Sequence, residues 1–205
     1  MTKTYHNLQD ALDNPLDVLI LEMSMNTRIS MGLHELESLP RVIGLFQNLE
    51  KLNLDGNQFT SLPKEIGQLQ NLRVLNLAGN QLTSLPKEIG QLQNLERLDL
   101  DGNQFTSLPK EIGQLQKLEA LNLDHNRFTI FPKEIRQQQS LKWLRLSGDQ
   151  LKTLPKEILL LQNLQVLRLY SNSFSLKEKQ KIQELLPNCE IDFESEGKSE
   201  SSLTE

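Results

Sequence analysis

The chain has 205 residues, of which 37% are hydrophobic and 5% are aromatic, with a formal net charge of −5. Leucine fills 43 positions, so we expect a core built mainly from this one aliphatic residue type. No apolar run approaches the roughly 18 residues that a membrane helix needs, which predicts no membrane span. Residues 190–205 carry the whole net charge, and the neutral remainder argues against nucleic-acid binding.

The N-terminal segment has its own pattern. Apolar residues at helical spacing between Leu8 and Leu12 predict a short helix that ends before Pro15. The continuous apolar run Val18–Met23 predicts a strand, which we expect to pair with Arg28–Met31 as a hairpin. The first residues lack a basic segment followed by an apolar one, so no secretory signal is predicted unless Met1 has replaced one.

A repeat with a period of 23 residues dominates the rest of the chain. Counting back one period from its first clear copy places a degenerate unit at Asn26, so about seven units are expected. The clear copies begin at Leu49, Leu72, Leu95, Leu118, Leu141 and Leu164.

Each unit predicts the same local structure. The LxxLxL segment alternates apolar and polar residues, as in a short strand that is buried on one side. A proline then ends the extended segment, and PKEIGQLQ predicts a short helical or 3₁₀ stretch. One unit buries too little apolar surface to offset its chain entropy, so the units must stack as a solenoid. An asparagine ladder is predicted inside the stack, with His34 in its first slot and Asn57, Asn80, Asn103, Asn126 and Asn172 after it.

The C-terminal flank predicts a cap for the open end of the stack. Ser175 is a candidate N-cap for a helix through Leu186, and residues 189–193 alternate as a strand-like lid. Cys189 is interpreted as a small apolar residue of this lid rather than a reactive thiol. The predicted organisation is an N-terminal cap at 1–25, repeats at 26–174, a C-terminal cap at 175–193 and a disordered acidic tail at 194–205.

The pattern LxxLxLxxNxLxxLPxxIxxLxx resembles the leucine-rich repeat family, in its 23-residue LPxxIxxL subclass. The segments YHNLQDALDNPLDV, QLTSLPKEIGQLQNL and KEKQKIQELLPNCEIDFE are similar to those of the exported leucine-rich repeat proteins of pathogenic leptospires. This resemblance implies an α/β horseshoe with a concave parallel β-sheet, short helical or 3₁₀ segments on the convex side, protein binding, and a secreted or cell-surface location. The intracellular Ras-suppressor type scaffolds share the LPxxI pattern and imply cytoplasmic signalling instead.

The variable positions of the predicted sheet suggest where a partner binds. The fifth place of successive units runs from neutral or acidic to basic residues, through Ser30, Asn53, Asn76, Asp99, Asn122, Arg145 and Arg168. Trp143, the single tryptophan, occupies an outward strand place in the basic half. Because Trp, Tyr and Arg dominate interface energetics, we predict a hot spot for an anionic or mixed protein surface, formed by Lys142, Trp143, Arg145, Val166, Arg168 and Tyr170.

A secondary acidic patch is predicted near the middle of the sheet, formed by Glu96, Asp99, Asp101, Asp124 and His125. No closed set of metal ligands is defined there, so neither a metal nor any other cofactor is predicted. No nucleophile, base and orienting group stand at a catalytic spacing, so the chain is predicted not to be an enzyme.

Two residues depart from the repeat consensus near the predicted hot spot. Gln138 replaces a core leucine, and Asp149 replaces a ladder asparagine. Each places a polar group where a matched partner is needed, which predicts either a soft joint between the units that begin at Leu118 and Leu141 or a contact site that another molecule completes.

These patterns predict a non-catalytic, monomeric protein-interaction module whose protein partner contacts the concave sheet. The family resemblance implies a host or surface protein as this partner, in a virulence context. One alternative is an adhesive or structural surface protein that binds matrix or glycan multivalently through the whole array. The other alternative is the intracellular scaffold.

Overall fold

The computed structural model describes residues 4–25, 27 and 38–194. This part of the chain contains one sheet of nine parallel strands that lie in chain order. The strands are β1 (Thr4–Tyr5), β2 (Ile20–Glu22), β3 (Lys51–Asn53), β4 (Val74–Asn76), β5 (Arg97–Asp99), β6 (Ala120–Asn122), β7 (Trp143–Arg145), β8 (Val166–Arg168) and β9 (Glu190–Asp192). The expected horseshoe with a parallel sheet on its inner side is confirmed.

The strands from β3 to β8 are in register at the repeat period. Leu52 pairs with Leu75, and each further central leucine pairs with its counterpart 23 residues later. The central leucine of each strand is buried, and the two residues beside it lie on the inner face of the sheet. The predicted period of two is therefore correct, and it leaves two variable rows of side chains on that face.

The chain returns along the convex side through five-residue 3₁₀ helices, as the PKEIG pattern predicts. Each helix follows a proline in extended conformation, which fixes φ and supplies no N–H. They span Arg41–Leu45, Lys64–Gln68, Lys87–Gln91, Lys110–Gln114, Lys133–Gln137 and Lys156–Leu160. Adjacent helices pack closely, since a Cβ on Gly90 would lie 2.8 Å from the Glu111 carbonyl oxygen. No helix in the described ranges is long and apolar enough to cross a bilayer.

The core lies between the sheet and the 3₁₀ helices. Aromatic side chains are more prominent in it than the low aromatic content of the chain suggests. Leucine dominates it, but the largest fully buried side chains are phenylalanines: Phe46, Phe59, Phe105 and Phe128. The last three occupy the same place in different units, so the few aromatic residues are concentrated in one interior row. The expectation of an interior built from one residue type is therefore wrong in this row.

Buried asparagines join neighbouring units, as predicted. Asn103 Nδ2 donates to the Leu77 and Leu100 carbonyl oxygens at 2.9 and 3.1 Å, and its Oδ1 accepts from the Leu82 N–H at 3.0 Å. Two of these partners belong to the preceding unit, so each amide ties one unit to the next. The same pattern recurs at Asn57, Asn80, Asn126 and Asn172. The predicted first member, His34, lies outside the described residues.

The N-terminal part differs from the prediction. The short helix is present as α1 (Leu8–Leu12), but β2 pairs in parallel with β1 on one side and β3 on the other, so no edge is left for the predicted hairpin. Leu21 pairs directly with Leu52, 31 positions later, and Glu22 takes the place beside Asn53 that the sequence assigned to Ser30. Residues 26 and 28–37 lie outside the described part, so the boundary at 25/26 stays a prediction.

The C-terminal cap follows the prediction. Helix α2 (Leu176–Leu185) begins at Ser175, whose Oγ accepts from the Glu178 N–H, and its Ile182 is buried. Strand β9 then pairs with β8 and closes the described sheet. Cys189 packs against the core, and burial together with the charge of Glu190 raises its pKa to about 11. Its thiol is therefore protonated at neutral pH. Residues 195–205 lie outside the described part.

The two consensus departures do leave buried polar atoms without partners in the described residues. Gln138 is fully buried; its Nε2 donates to the Ile112 carbonyl oxygen, but its Oε1 has no partner. Asp149 Oδ1 accepts from the Phe128 N–H at 2.9 Å, as a ladder asparagine would, whereas Oδ2 has no donor.

The repeat geometry explains the second mismatch. Asn126 and Asn172 direct their Nδ2 groups at backbone carbonyl oxygens, so Asp149 Oδ2 occupies a slot that requires a donor. A protonated carboxyl can supply one. Burial and, less strongly, the charge of Asp124 raise the pKa of Asp149 to about 7, although the Phe128 N–H and the nearby His125 act to lower it.

The first prediction concerns the ladder. Asn103→Ala should lower the free energy of unfolding by about 2–4 kcal/mol, because it leaves buried carbonyl and N–H groups unpaired. Asn94→Ala is the matched control, since Asn94 Nδ2 donates to the Gln70 carbonyl oxygen at the exposed rim, and it should cost under about 1 kcal/mol. Urea unfolding followed by circular dichroism measures both; equal losses would contradict the ladder's role.

The second prediction concerns pH. A folded-state pKa near 7 lies above that of the unfolded Asp, so the contribution of Asp149 to stability is full below about pH 4, falls as pH rises to about 7 and is level above that. Asp149→Asn supplies a permanent donor and should match wild type near pH 4 and exceed it by about 2–4 kcal/mol at pH 8. Chemical unfolding at each pH measures the difference, and parallel curves for the two proteins would refute the explanation.

The third prediction concerns the joint. Backbone amides of the units at 118–163 should exchange with deuterium faster than those of the units at 49–117, because Gln138 and Asp149 weaken the packing there. Exchange read by mass spectrometry tests this, and equal protection in both regions would show that the mismatches are tolerated without local opening.

Candidate functional site

The inner face of the sheet presents two rows of side chains, one before and one after the buried central leucine of each strand. The first row places Trp143 between Ala120 and Val166, because β6, β7 and β8 pair in register. The three side chains are half-buried and uncharged. We call Ala120, Trp143 and Val166 the apolar stripe.

The predicted hot-spot residues are brought together by the strand register. Arg145 and Arg168 are paired residues in the second row, next to the apolar stripe. Tyr170 follows β8, and its hydroxyl accepts from Arg145 Nη2 at 3.1 Å. Lys142 precedes β7, with its Nζ 5.8 Å from the centre of the Trp143 ring. The six predicted residues therefore lie on one surface.

Asp124 holds Arg145 in place from below the surface. The Asp124 side chain is fully buried, and its Oδ2 lies 2.7 Å from Arg145 Nε while its Oδ1 accepts from the Ser147 N–H at 2.7 Å. Burial raises the pKa of Asp124, and the Ser147 N–H and Arg145 oppose this shift. Burial also works against the charge of Arg145, but Asp124 and Tyr170 outweigh it and raise the pKa of the guanidinium.

The other two cations of the predicted hot spot are also paired. Lys142 Nζ lies 2.8 Å from Glu119 Oε1. Arg168 Nη1 lies 2.9 Å from Glu190 Oε1 and also contacts Asp192 Oδ2. The sequence places a run of positive charge here, but the structure sets a carboxylate against each cation. These pairs were not expected from the sequence, and contact with an anionic or mixed protein surface stays a prediction.

The predicted acidic patch is not one exposed cluster. Asp124 is buried beneath Arg145, and Glu96 binds Arg73 through two hydrogen bonds of 2.9 and 3.0 Å. Asp99 is half-buried, and its burial raises its pKa. Asp101 Oδ1 lies 2.8 Å from His125 Nδ1. Across the described ranges, no three His, Cys, Asp or Glu side chains are grouped so as to hold a metal ion.

His125 has an unusual backbone conformation. Its φ is 51°, in the left-handed region that glycine occupies at the same place of other units, for example Gly102 at 62° and Gly148 at 72°. Its ring lies over Gly148, where an added Cβ would come within 2.5 Å of it. His125 therefore places a side chain where most of the other units have glycine.

A groove that sequence reasoning missed runs along the edge where the strands begin. Its volume is about 440 Å³. The last residue of each unit supplies its amides: Asn71 Nδ2 donates to the Gln47 carbonyl oxygen, and Asn94 Oδ1 accepts from Lys117 Nζ. The recurrence of asparagine at the end of the units was the available signal. The lining residues are Leu19, Asn48, Glu50, Asn71, Arg73, Asn94, Glu96 and Lys117.

The convex side is more uniform. The pair Lys64 and Glu65 recurs in later units, so it gives a partner no feature that distinguishes one unit from another. The exceptions are Leu159 and Leu160, which replace Gly-Gln and are about half exposed.

Comparisons with known proteins identify the repeats. A family model described as "Leucine-rich repeat region" matches residues 64–181, and a "Leucine Rich Repeat" model matches residues 48–69. The comparison with curated proteins found no match.

Solved structures support the same assignment. The leucine-rich repeat ectodomain of the plant receptor kinase GASSHO1/SCHENGEN3 from Arabidopsis thaliana, in complex with CASPARIAN STRIP INTEGRITY FACTOR 2, is 27% identical with a TM-score of 0.67 over 83% of this chain. The PEPR1-AtPEP1 complex is 32% identical with a TM-score of 0.65 over 78% of this chain. This chain spans only 20% and 22% of those two structures.

A leucine-rich repeat protein of Leptospira interrogans is 27% identical over 94% of this chain and 100% of its own length, but its TM-score of 0.33 is too low to carry an argument. The 23-residue subclass and the leptospiral resemblance thus stay predictions. The family models, which match more than half of the chain, together with the stacked strands and asparagine ladder, show that the chain belongs to the leucine-rich repeat family.

Proposed function

We propose that this chain is a non-catalytic module that binds a protein partner on the inner face of its sheet, through Lys142, Trp143, Arg145, Val166, Arg168 and Tyr170. The observation that carries the proposal is Trp143, a large aromatic side chain that lies half-buried on a regular sheet face rather than in the core. Trp and Tyr remove large areas from water on binding and also hydrogen-bond, so they are typical of interface centres.

The contrast between the two sides of the horseshoe supports the choice of face. The convex helices repeat nearly the same residues from unit to unit, whereas the first inner row changes at every strand from β3 to β8 and the second changes from asparagine to arginine along the sheet. A partner can be distinguished only by a surface that varies. The ectodomain solved with CASPARIAN STRIP INTEGRITY FACTOR 2 and the PEPR1-AtPEP1 complex are similar arrays, which supports a binding role for this one.

The described residues also favour binding over catalysis. His125 and Asp101 form the one His–carboxylate pair in this part of the chain, and no Ser, Thr or Cys hydrogen-bonds that imidazole. Cys189 lies in the C-terminal lid with a raised pKa, which disfavours the thiolate that a cysteine nucleophile needs.

The proposal includes a secreted or cell-surface location and a partner on a host or another cell. Similarity to a receptor ectodomain supports this location. Labelling intact and permeabilised cells of the source organism with an antibody to this chain tests it, because exposure on intact cells is expected.

The fourth prediction tests the binding face. Trp143→Ala should weaken partner binding by at least about 2 kcal/mol, roughly 30-fold in Kd, because it removes the largest uncovered apolar group of the site. Extracellular and bacterial proteins retained by immobilised wild type would be identified by mass spectrometry. The Kd of each would then be measured by calorimetry for both forms.

Lys110→Ala on the convex side serves as the control and should leave the Kd unchanged. An unchanged Kd for Trp143→Ala would reject the proposed site. If, in addition, affinity fell stepwise as whole units were deleted, the adhesive, multivalent function would be favoured instead.

A further inference from the structure

We infer that the partner contacts the apolar stripe through an extended segment of about three residues that carries no charge and presents at least one aliphatic or aromatic side chain. This inference rests on the proposed function and names the chemistry of its partner. It differs from the anionic or mixed protein surface that the sequence predicts.

The length of the segment follows from the sheet. Neighbouring strands lie about 4.8 Å apart, so the step from Ala120 to Val166 across β7 covers about 10 Å. An extended chain advances about 3.3 Å per residue, and three residues cover this distance. In the same row, the stripe ends at Arg97 on one side and at Glu190 on the other.

The shape of the stripe favours a side chain of the partner at one point. Ala120 is the smallest of the three residues and lies beside Trp143, the largest. The indole ring therefore stands beside a depression in the surface. An apolar group of the partner that enters this depression can contact the methyl of Ala120 and the side of the indole. Asn122, the second inner-face residue of β6, is uncharged.

The ion pairs of Lys142, Arg145 and Arg168 disfavour an acidic segment as the main contact. Lys142, Arg145 and Arg168 each already face a carboxylate of the same chain. The Asp124 partner of Arg145 is fully buried and cannot turn to water. A carboxylate of the partner would have to compete with these acids and would leave one of them unpaired, which is unfavourable. An uncharged segment leaves every pair intact.

The test uses two probes on the full-length chain. The first is a phage-displayed library of random 12-residue peptides, from which binders are selected, sequenced, synthesised and measured by fluorescence anisotropy at about 50 and about 500 mM NaCl. The second is fluorescent hexaglutamate. Selected peptides should share a short uncharged stretch with an aromatic or aliphatic residue. Their Kd should change less than about twofold between the two salt concentrations, and hexaglutamate should not bind.

Two substitutions locate the binding. Trp143→Ala and Ala120→Lys should each weaken the selected peptides by about tenfold or more. Ala78→Lys is the matched control, since Ala78 is a half-buried alanine after β4 and outside the stripe; it should leave the Kd unchanged. A further variant, Glu190→Gln with Asp192→Asn, releases Arg168 and should gain salt-sensitive binding of hexaglutamate. Gel filtration and circular dichroism confirm that each variant is folded and monodisperse.

The outcomes separate the two claims. Two results would overturn the uncharged segment but keep the binding face. One is a set of acidic selected peptides whose binding depends on Trp143 and weakens tenfold in high salt; the other is binding of hexaglutamate to wild type. The inference and the proposed face would both be overturned if neither Trp143→Ala nor Ala120→Lys changed the Kd of the selected peptides, or if no peptide could be selected.

Discussion

The structure depends on hydrogen bonds that each unit makes to its neighbours. A three-residue strand has no partner within its own unit, and the buried asparagines donate to carbonyl oxygens of both their own and the preceding unit. A single unit would leave these groups unpaired. The array therefore requires nearly identical backbone paths at successive levels, and this requirement fixes leucine, asparagine and proline at the same places in each unit. Only the two inner rows remain free to vary.

This requirement explains which parts of the fold could be predicted from the sequence. The strands, the 3₁₀ helices and the asparagine slots repeat every 23 residues, so each copy supported the others. Strand β2 could not be placed in this way, because Leu21 and Leu52 are 31 positions apart and the period fails there. The row of buried phenylalanines was missed because the aromatic content of a chain does not show where its few aromatic residues lie.

The position of the proposed binding face could be predicted from the sequence, but the ion pairs on it could not all be. A period of two is sufficient to point Trp143 away from the core. The net charge of a surface, in contrast, depends on which side chains meet across strands. The pairing of Lys142 with Glu119 follows the 23-residue spacing and was available in the sequence. The pairing of Arg145 with Asp124 was not, because it requires the carboxylate to turn inward onto the Ser147 N–H.

The last strand also affects how the protein behaves among its own copies. Among the described strands, β9 has a partner on one side only, and such an edge can template pairing with another chain. Glu190 and Asp192 place two carboxylates on these three residues. A second molecule that approached through the same edge would bring like charges together across about 5 Å. Pairing of two copies of the chain through this edge is thereby opposed by the same acids that face Arg168.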